Sequence, residues 1–139
     1  MTSKLRIPLP ATNTDLGLLI LRLAVAVVLL FHGVFKAANG IDWMSGMLAD
    51  VGLPAFIRYG VFVGELVAPV LLIVGLWTRL AALVITFNMV MAIFLALRDQ
   101  LFAIKPNGGG WGVELEALIA LGALALFFTG AGKYSVSRS

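Results

Sequence analysis

Leu16-Gly-Leu-Leu-Ile-Leu-Arg22-Leu-Ala-Val-Ala-Val-Val-Leu-Leu-Phe-His32-Gly-Val-Phe-Lys36 decides the fold. The run is long enough to cross a bilayer core as a helix, since about 20 residues suffice, yet it carries Arg22 within its apolar part. A charge in that position is costly, so it faces a partner, a cavity or a ligand rather than lipid. A second apolar run carries Glu65 in the same way. Around both runs the 139-residue chain is 61% hydrophobic and only 12% charged, about half the charged share of a soluble domain. The class is an integral membrane protein.

Four apolar segments follow one another, at about 16–36, 56–77, 79–97 and 113–130. The expectation is an all-α, four-transmembrane-helix bundle forming a single membrane domain over residues 1–139. Asp15 or Thr14 is the expected cap of the first helix. The first run is too long for a secretory leader and lacks a small-x-small cleavage pattern after it, so it reads as a retained span. In the longest connection, Asp42 can cap a short interfacial helix in which Trp43, Met47 and Val51 recur every fourth residue, ended by Gly52 and Pro54; a plain loop with anchoring apolar residues is the other reading. The second connection, Trp77-Thr78-Arg79, reads as a tight helical hairpin, and the third carries Lys105-Pro-Asn-Gly-Gly-Gly-Trp.

The chain has no cysteine, which removes disulfide chemistry, thiol relays, Fe–S ligation and cysteine-zinc sites from its repertoire. Its net charge of +3 comes from Lys and Arg scattered singly, as membrane flanks are, so no nucleic acid partner is expected. Four spans place both termini on one side. Lys4, Arg6, Arg79, Lys133 and Arg138 then lie on the terminal side, against Lys36, Arg58, Arg98 and Lys105 on the other. This small bias favours cytoplasmic termini.

At about 1.5 Å per residue, Arg22 falls nearer the terminal side and His32 and Lys36 near the loop side. Glu65 on span two and Asn88 on span three fall near mid-membrane. Glu114 and Glu116 open span four at the level of His32 and Lys36; they differ by about 200° around a helix, so one joins the interior and the other faces the headgroups. The stripe Arg22, Ala26, Leu29, Gly33, Lys36 shares one helix face. The expected result is a polar column open to the loop side, with Arg22 at its deep end. Either a purely structural network or a small-molecule or proton site accounts for it. Gly60-Val-Phe-Val-Gly64, extended by Ala68, is a small-residue packing face, and Pro69 is placed to kink the helix past Glu65.

Leu21-Arg22-Leu23 leading to Phe31-His32-Gly33 and Lys36, then Val51-Gly52-Leu53-Pro54, Gly64-Glu65-Leu66, Gly75-Leu-Trp-Thr-Arg79, Trp111-Gly-Val-Glu114 and Gly130-Ala-Gly-Lys-Tyr-Ser135, together resemble the DoxX family of small four-helix bacterial membrane proteins. The likeness runs from about Leu16 to Ser135. By the resemblance Glu114, rather than Glu116, is the acid matching the family pattern; the usual Asp after the last Tyr-Ser is replaced by Val136-Ser137. What it implies is a bacterial inner-membrane protein associated with a redox complex, with a quinone as the candidate cofactor, a redox-enzyme subunit as the candidate partner and homo-oligomerisation as a further option. A quinone headgroup would exchange protons with His32 or Glu65 and be steadied by Arg22 or Lys36. The chain is not expected to be an enzyme on its own. The rival readings are a non-catalytic membrane anchor for a soluble oxidoreductase and, behind it, a small-molecule or ion transporter. One histidine cannot supply bis-histidine haem ligation within one copy, and no metal-ligand pair stands at helical spacing.

Overall fold

The computed structural model describes residues 8–137; Lys4, Arg6 and Arg138 of the charge count lie outside the described residues. Among those residues the fold is all helical: α1 Thr14–Asn39, α2 Met44–Asp50, α3 Ala55–Val74, α4 Thr78–Ala96 and α5 Glu114–Thr129. Three of them, α1, α3 and α4, are long and apolar enough to cross a membrane. The fourth expected span, α5, has 16 residues.

Apolar side chains lie both inside and outside, as expected of a bundle solvated by lipid. Phe31, Phe35, Val70, Phe87, Leu118 and Phe128 point outward. The interior is built largely of small residues, Ala26, Ala68, Ala81, Ala82, Ala120 and Ala123, between Leu29, Leu72, Ile85 and Leu126. Without a hydrophobic drive between helices in lipid, close backbone approach across small residues supplies the attraction. α4 and α5 have the most extensive interface, and α1 packs on the second half of α3 and on α5.

The cap of α1 is Asn13, whose side chain accepts from the Leu16 amide at 3.1 Å, in place of Thr14 or Asp15. Asp15 is instead taken by the far end of the chain: its Oδ1 accepts from the Lys133 amide at 3.0 Å. The short helix α2 forms, but Asp42 does not cap it. Its carboxylate lies 3.8 Å from Arg58 Nε, and the inward residues are Ile41 and Leu48 while Trp43 is exposed. Gly52, at φ +78, ends the helix with the Leu53 amide bonded back to Leu48, a turn that favours glycine.

α3 is not a uniform helix. It begins as a 3-10 turn over Ala55–Tyr59, passes through one π turn over Val63–Val67 and continues as α-helix over Ala68–Val74. Pro69 supplies no N–H to the carbonyl four residues back, that of Glu65, and its ring crowds that carbonyl; the wide turn is the local answer. Of the predicted small-residue face, Gly64 and Ala68 are buried, while a methyl group at Gly60 would meet open space. α3 ends at Gly75, φ +73, and Trp77 also takes a left-handed conformation, φ +49, which reverses the chain into α4.

Candidate functional site

The polar residues of the interior form two centres rather than one column. The first is Arg22, fully buried. Its Nε donates to the Leu72 carbonyl at 2.8 Å and its Nη2 to Ile73 at 3.1 Å, while Nη1 donates to Ala131 at 3.2 Å and Tyr134 at 2.7 Å. Leu72 and Ile73 are in the last turn of α3, where carbonyls lack helical partners and the helix dipole is negative. Ala131 and Tyr134 belong to the segment after α5, which folds back so that the Val136 and Ser137 amides bond the Val74 and Gly75 carbonyls at 3.1 and 3.0 Å. Arg22 is therefore a clasp for main-chain oxygens. It is not the deep end of a column, because carbonyls at the end of α3 and in the tail capture its donors before any side-chain acid can.

The second centre lies toward the loop side. Lys36 Nζ donates to both oxygens of Glu65, at 2.9 and 2.7 Å, and Asn88 Nδ2 donates to Oε2 at 3.1 Å. Glu65 is 1% exposed. The Lys36 side chain is 23% exposed, so its stem runs down from the boundary and its ammonium meets an acid set deeper in the bundle. The predicted stripe is indeed the inner face of α1: Arg22, Ala26, Leu29 and Gly33 are buried, and Lys36 continues it.

Glycines bring the helices close enough for this geometry. A methyl group on Gly33 would overlap the Glu65 carbonyl oxygen, and one on Gly64 would stand 2.6 Å from Asn88 Cγ. Thus α1 rides on the π turn of α3, and α3 on Asn88 of α4.

A cavity of about 60 Å³ opens beside the triad, lined by Leu29, His32 and Lys36 of α1, Glu65 of α3, Met89 and Ala92 of α4, and Leu115, Glu116 and Ile119 of α5. His32 and Glu116 reach it without a hydrogen bond or ion pair among the described residues. Glu114 turns away, its Oε1 lying 3.5 Å from Lys105 Nζ. The acid of α5 at the cavity is Glu116, not the Glu114 favoured by the resemblance. The signal is present in the sequence: Glu116 is three, four and seven residues before Ile119, Ala120 and Ala123, all buried, whereas Glu114 is in register with exposed Leu118 and Leu121. No group of three or more His, Asp or Glu side chains among the described residues is arranged to hold a metal ion.

Helices of spanning length with acids and bases turned inward define a small polytopic membrane protein. The chain belongs to the DoxX family, whose profile matches residues 17–98. Among relatives, an uncharacterized protein of Haemophilus influenzae is 37% identical over 115 residues, covering 81% of each chain. An uncharacterized membrane protein of Mycobacterium tuberculosis is 31% identical over 85% of this chain and 77% of its own. A Bacillus subtilis protein, CatD, named as a candidate oxidoreductase, is 26% identical over 84% of this chain and 81% of its own. No solved structure matches the chain.

Proposed function

We propose that this protein is the membrane subunit of a bacterial redox assembly, and that its loop-side cavity meets the headgroup of a quinone. The observation that carries the reading is the Lys36–Glu65–Asn88 triad set beside a cavity whose lining also includes two ionisable groups without a hydrogen bond or ion pair among the described residues, His32 and Glu116. A lysine ammonium has three donors, of which at most two are engaged by Glu65, leaving one for a ligand carbonyl. A cavity of about 60 Å³ has room for a few waters but not for a substituted ring. The ring therefore lies in the bilayer at the mouth, with one oxygen turned toward Lys36 and His32. Quinone reduction consumes protons, histidine is the side-chain type suited to passing them, and His32 lines the cavity.

Electrons come from a partner subunit on this reading, since a chain with no cysteine and one histidine cannot build an Fe–S centre or a bis-histidine haem from one copy. The name given to the Bacillus subtilis relative points the same way. The placement is multi-pass in the inner membrane, with α5 as a fourth span. At about 1.5 Å per residue its 16 residues reach roughly 24 Å, a shortfall against a core of about 30 Å that a bilayer accommodates at modest cost. Both termini are then on one side, which the small excess of Lys and Arg makes the cytoplasmic one. Labelling of cysteines placed at Ser3 and Asn107 with an impermeant reagent tests this, and labelling of Ser3 from outside intact cells rejects it.

The quinone reading is tested by purifying the protein in mild detergent and extracting it. A quinone that copurifies with the wild type and is lost from a folded Lys36→Met/Glu65→Gln protein supports the site. A wild type that carries none, even after reconstitution with excess quinone, rejects it.

The anchor reading is favoured by one observation: both oxygens of Glu65 and four donors of Arg22 are already satisfied within the chain. On that reading the bundle only holds a soluble oxidoreductase at the membrane, and its polar groups serve the fold.

A further inference from the structure

The connection between α4 and α5 is a built element. Lys105 donates its amide to the Gly110 carbonyl at 2.6 Å and Gly112 donates to Ala103 at 2.9 Å, so that Ile104 and Trp111 stand opposite each other in an antiparallel bridge. A pair flanked by such bonds rather than joined by them holds its two side chains close together on one face. Gly108 and Gly109, both left-handed at φ +87 and +72, turn the tip.

This ribbon is pinned at its base. A methyl group on Gly112 would overlap the Gln100 carbonyl oxygen, and one on Gly110 would stand 2.5 Å from the Glu114 carboxylate. Lys105 Nζ lies 3.5 Å from the same carboxylate. The ribbon is thus held down beside the first turn of α5. Its large apolar side chains are nevertheless left bare: Phe102 is 95% exposed, Ile104 73% and Trp111 45%. The indole N–H of Trp111 already donates to the Leu101 carbonyl, at 2.5 Å, which frees the ring to enter an apolar layer. Apolar side chains gathered on a fixed support mark a contact surface.

What covers them follows from the level at which they stand. Outward-facing Phe87, Val90 and Phe94 carry the lipid side of α4 up to Arg98, whose guanidinium lies back over the Phe94 ring at 5.0 Å, the posture of a cation at headgroup level on an apolar stem. On α5, outward-facing Leu118 and Leu121 begin about one turn after Glu114. The edge of the hydrocarbon therefore passes close to Arg98 and Glu114, and the ribbon joins those two residues. Aromatic side chains at that level settle among the headgroups and upper acyl chains.

We infer that Phe102, Ile104 and Trp111 dip into the loop-side leaflet, so that the ribbon is an interfacial anchor for the α4–α5 corner and its partner is the lipid surface. Asn107 and the glycines of the tip stay in water. This rests on the reading of α5 as a span. Its consequence reaches the cavity, because Leu115 and Glu116 of the lining follow directly on Glu114; the ribbon sets the level of that wall although α5 is short for a bilayer.

The chain has no cysteine, so Phe102→Cys, Ile104→Cys, Asn107→Cys and Leu118→Cys each offer one attachment point for a nitroxide on full-length protein in lipid nanodiscs. Oxygen concentrates in the acyl layer and a nickel chelate in water. The ratio of oxygen to nickel collisions is expected to be several-fold higher at Phe102, Ile104 and Leu118 than at Asn107. A ratio at Phe102 and Ile104 equal to that at Asn107 overturns the anchor while Leu118 still reports the span, whereas a low ratio at Leu118 rejects the span and the anchor with it. Shielding of Phe102 and Ile104 from both reagents also overturns the proposal, since a second copy or another protein then covers the face. A second measurement leaves Phe102 and Ile104 untouched: in Trp43→Phe/Trp77→Phe only Trp111 of the three tryptophans remains, and lipids brominated near the headgroup should quench it several-fold more than aqueous iodide. The reverse order overturns the anchor.

Discussion

The main-chain oxygen of Glu65 rests directly on Gly33, where any side chain on α1 would overlap it. Pro69, four residues after Glu65, withholds the amide that a regular helix would offer that oxygen, and the π turn over Val63–Val67 aims it at α1. One glycine and one proline on different helices thus set the depth at which the Glu65 carboxylate meets Lys36.

Gly33→Ala should therefore destabilise the bundle by about 1–3 kcal/mol, the usual cost of overpacking. Gly17 lies on the same helix, and a methyl group added there would meet nothing within 4 Å, so Gly17→Ala should be neutral or stabilising by up to about 1 kcal/mol. Unfolding in mixed detergent micelles measures both, and equal effects would remove the contact from the account.

Gly64→Ala should push Asn88 off Glu65, since the new methyl would stand 2.6 Å from Asn88 Cγ. Asn88→Ala removes the atoms it strikes. The double variant is expected to be more stable than the sum of the single effects predicts, with a coupling of about 0.5–3 kcal/mol. Strict additivity would mean that the two helices do not meet there.

Lys36→Met or Glu65→Leu alone strands one buried charge and should cost about 3–5 kcal/mol. Removing both together should cost less than either, because a pair of apolar side chains of similar volume suits the site. A folded yield or unfolding midpoint for the double variant below both single variants contradicts the pairing.

Arg22→Met should free the segment after α5. Hydrogen exchange at the Val136 and Ser137 amides, bonded to Val74 and Gly75, is expected to rise sharply, while exchange in the middle of α4 changes less. Each hydrogen bond to a charged donor contributes about 1.5–3 kcal/mol, and Arg22→Lys, with fewer and differently aimed donors, should recover only part of the loss. Protection at Val136 and Ser137 equal to wild type would show that the clasp is not what holds the tail.

Periodicity and depth place much of this bundle from its residues alone. α1, α3 and α4 follow from run length, the inner face of α1 from the spacing of Ala26, Leu29, Gly33 and Lys36, and the meeting of Glu65 with Asn88 from their shared depth. Main-chain acceptors are invisible to that reasoning, because a carbonyl exists at every residue and only the fold shows which are left unpaired; hence depth and spacing set Arg22 at the deep end of a side-chain column, and the folded chain gives it the carbonyls of Leu72, Ile73, Ala131 and Tyr134 instead. The π turn escapes for a related reason, since Pro69 announces a disturbance without saying whether the helix kinks or widens. Glu116 is legible from its register with Ile119 and Ala123, and a motif likeness pulls toward Glu114 against that register.

The clasp also orders events during synthesis. Ala131 and Tyr134, which accept from Arg22, are 109 and 112 residues downstream of it. The first helix thus enters the bilayer with its guanidinium still lacking the last two of its acceptors, and the nascent chain cannot complete this end of the bundle until the segment after α5 has been made. Ribosome-bound intermediates that stop short of Gly130 therefore leave the first helix with part of its guanidinium unpaired, and the segment after α5 is what completes the pairing of a charge set down more than a hundred residues earlier.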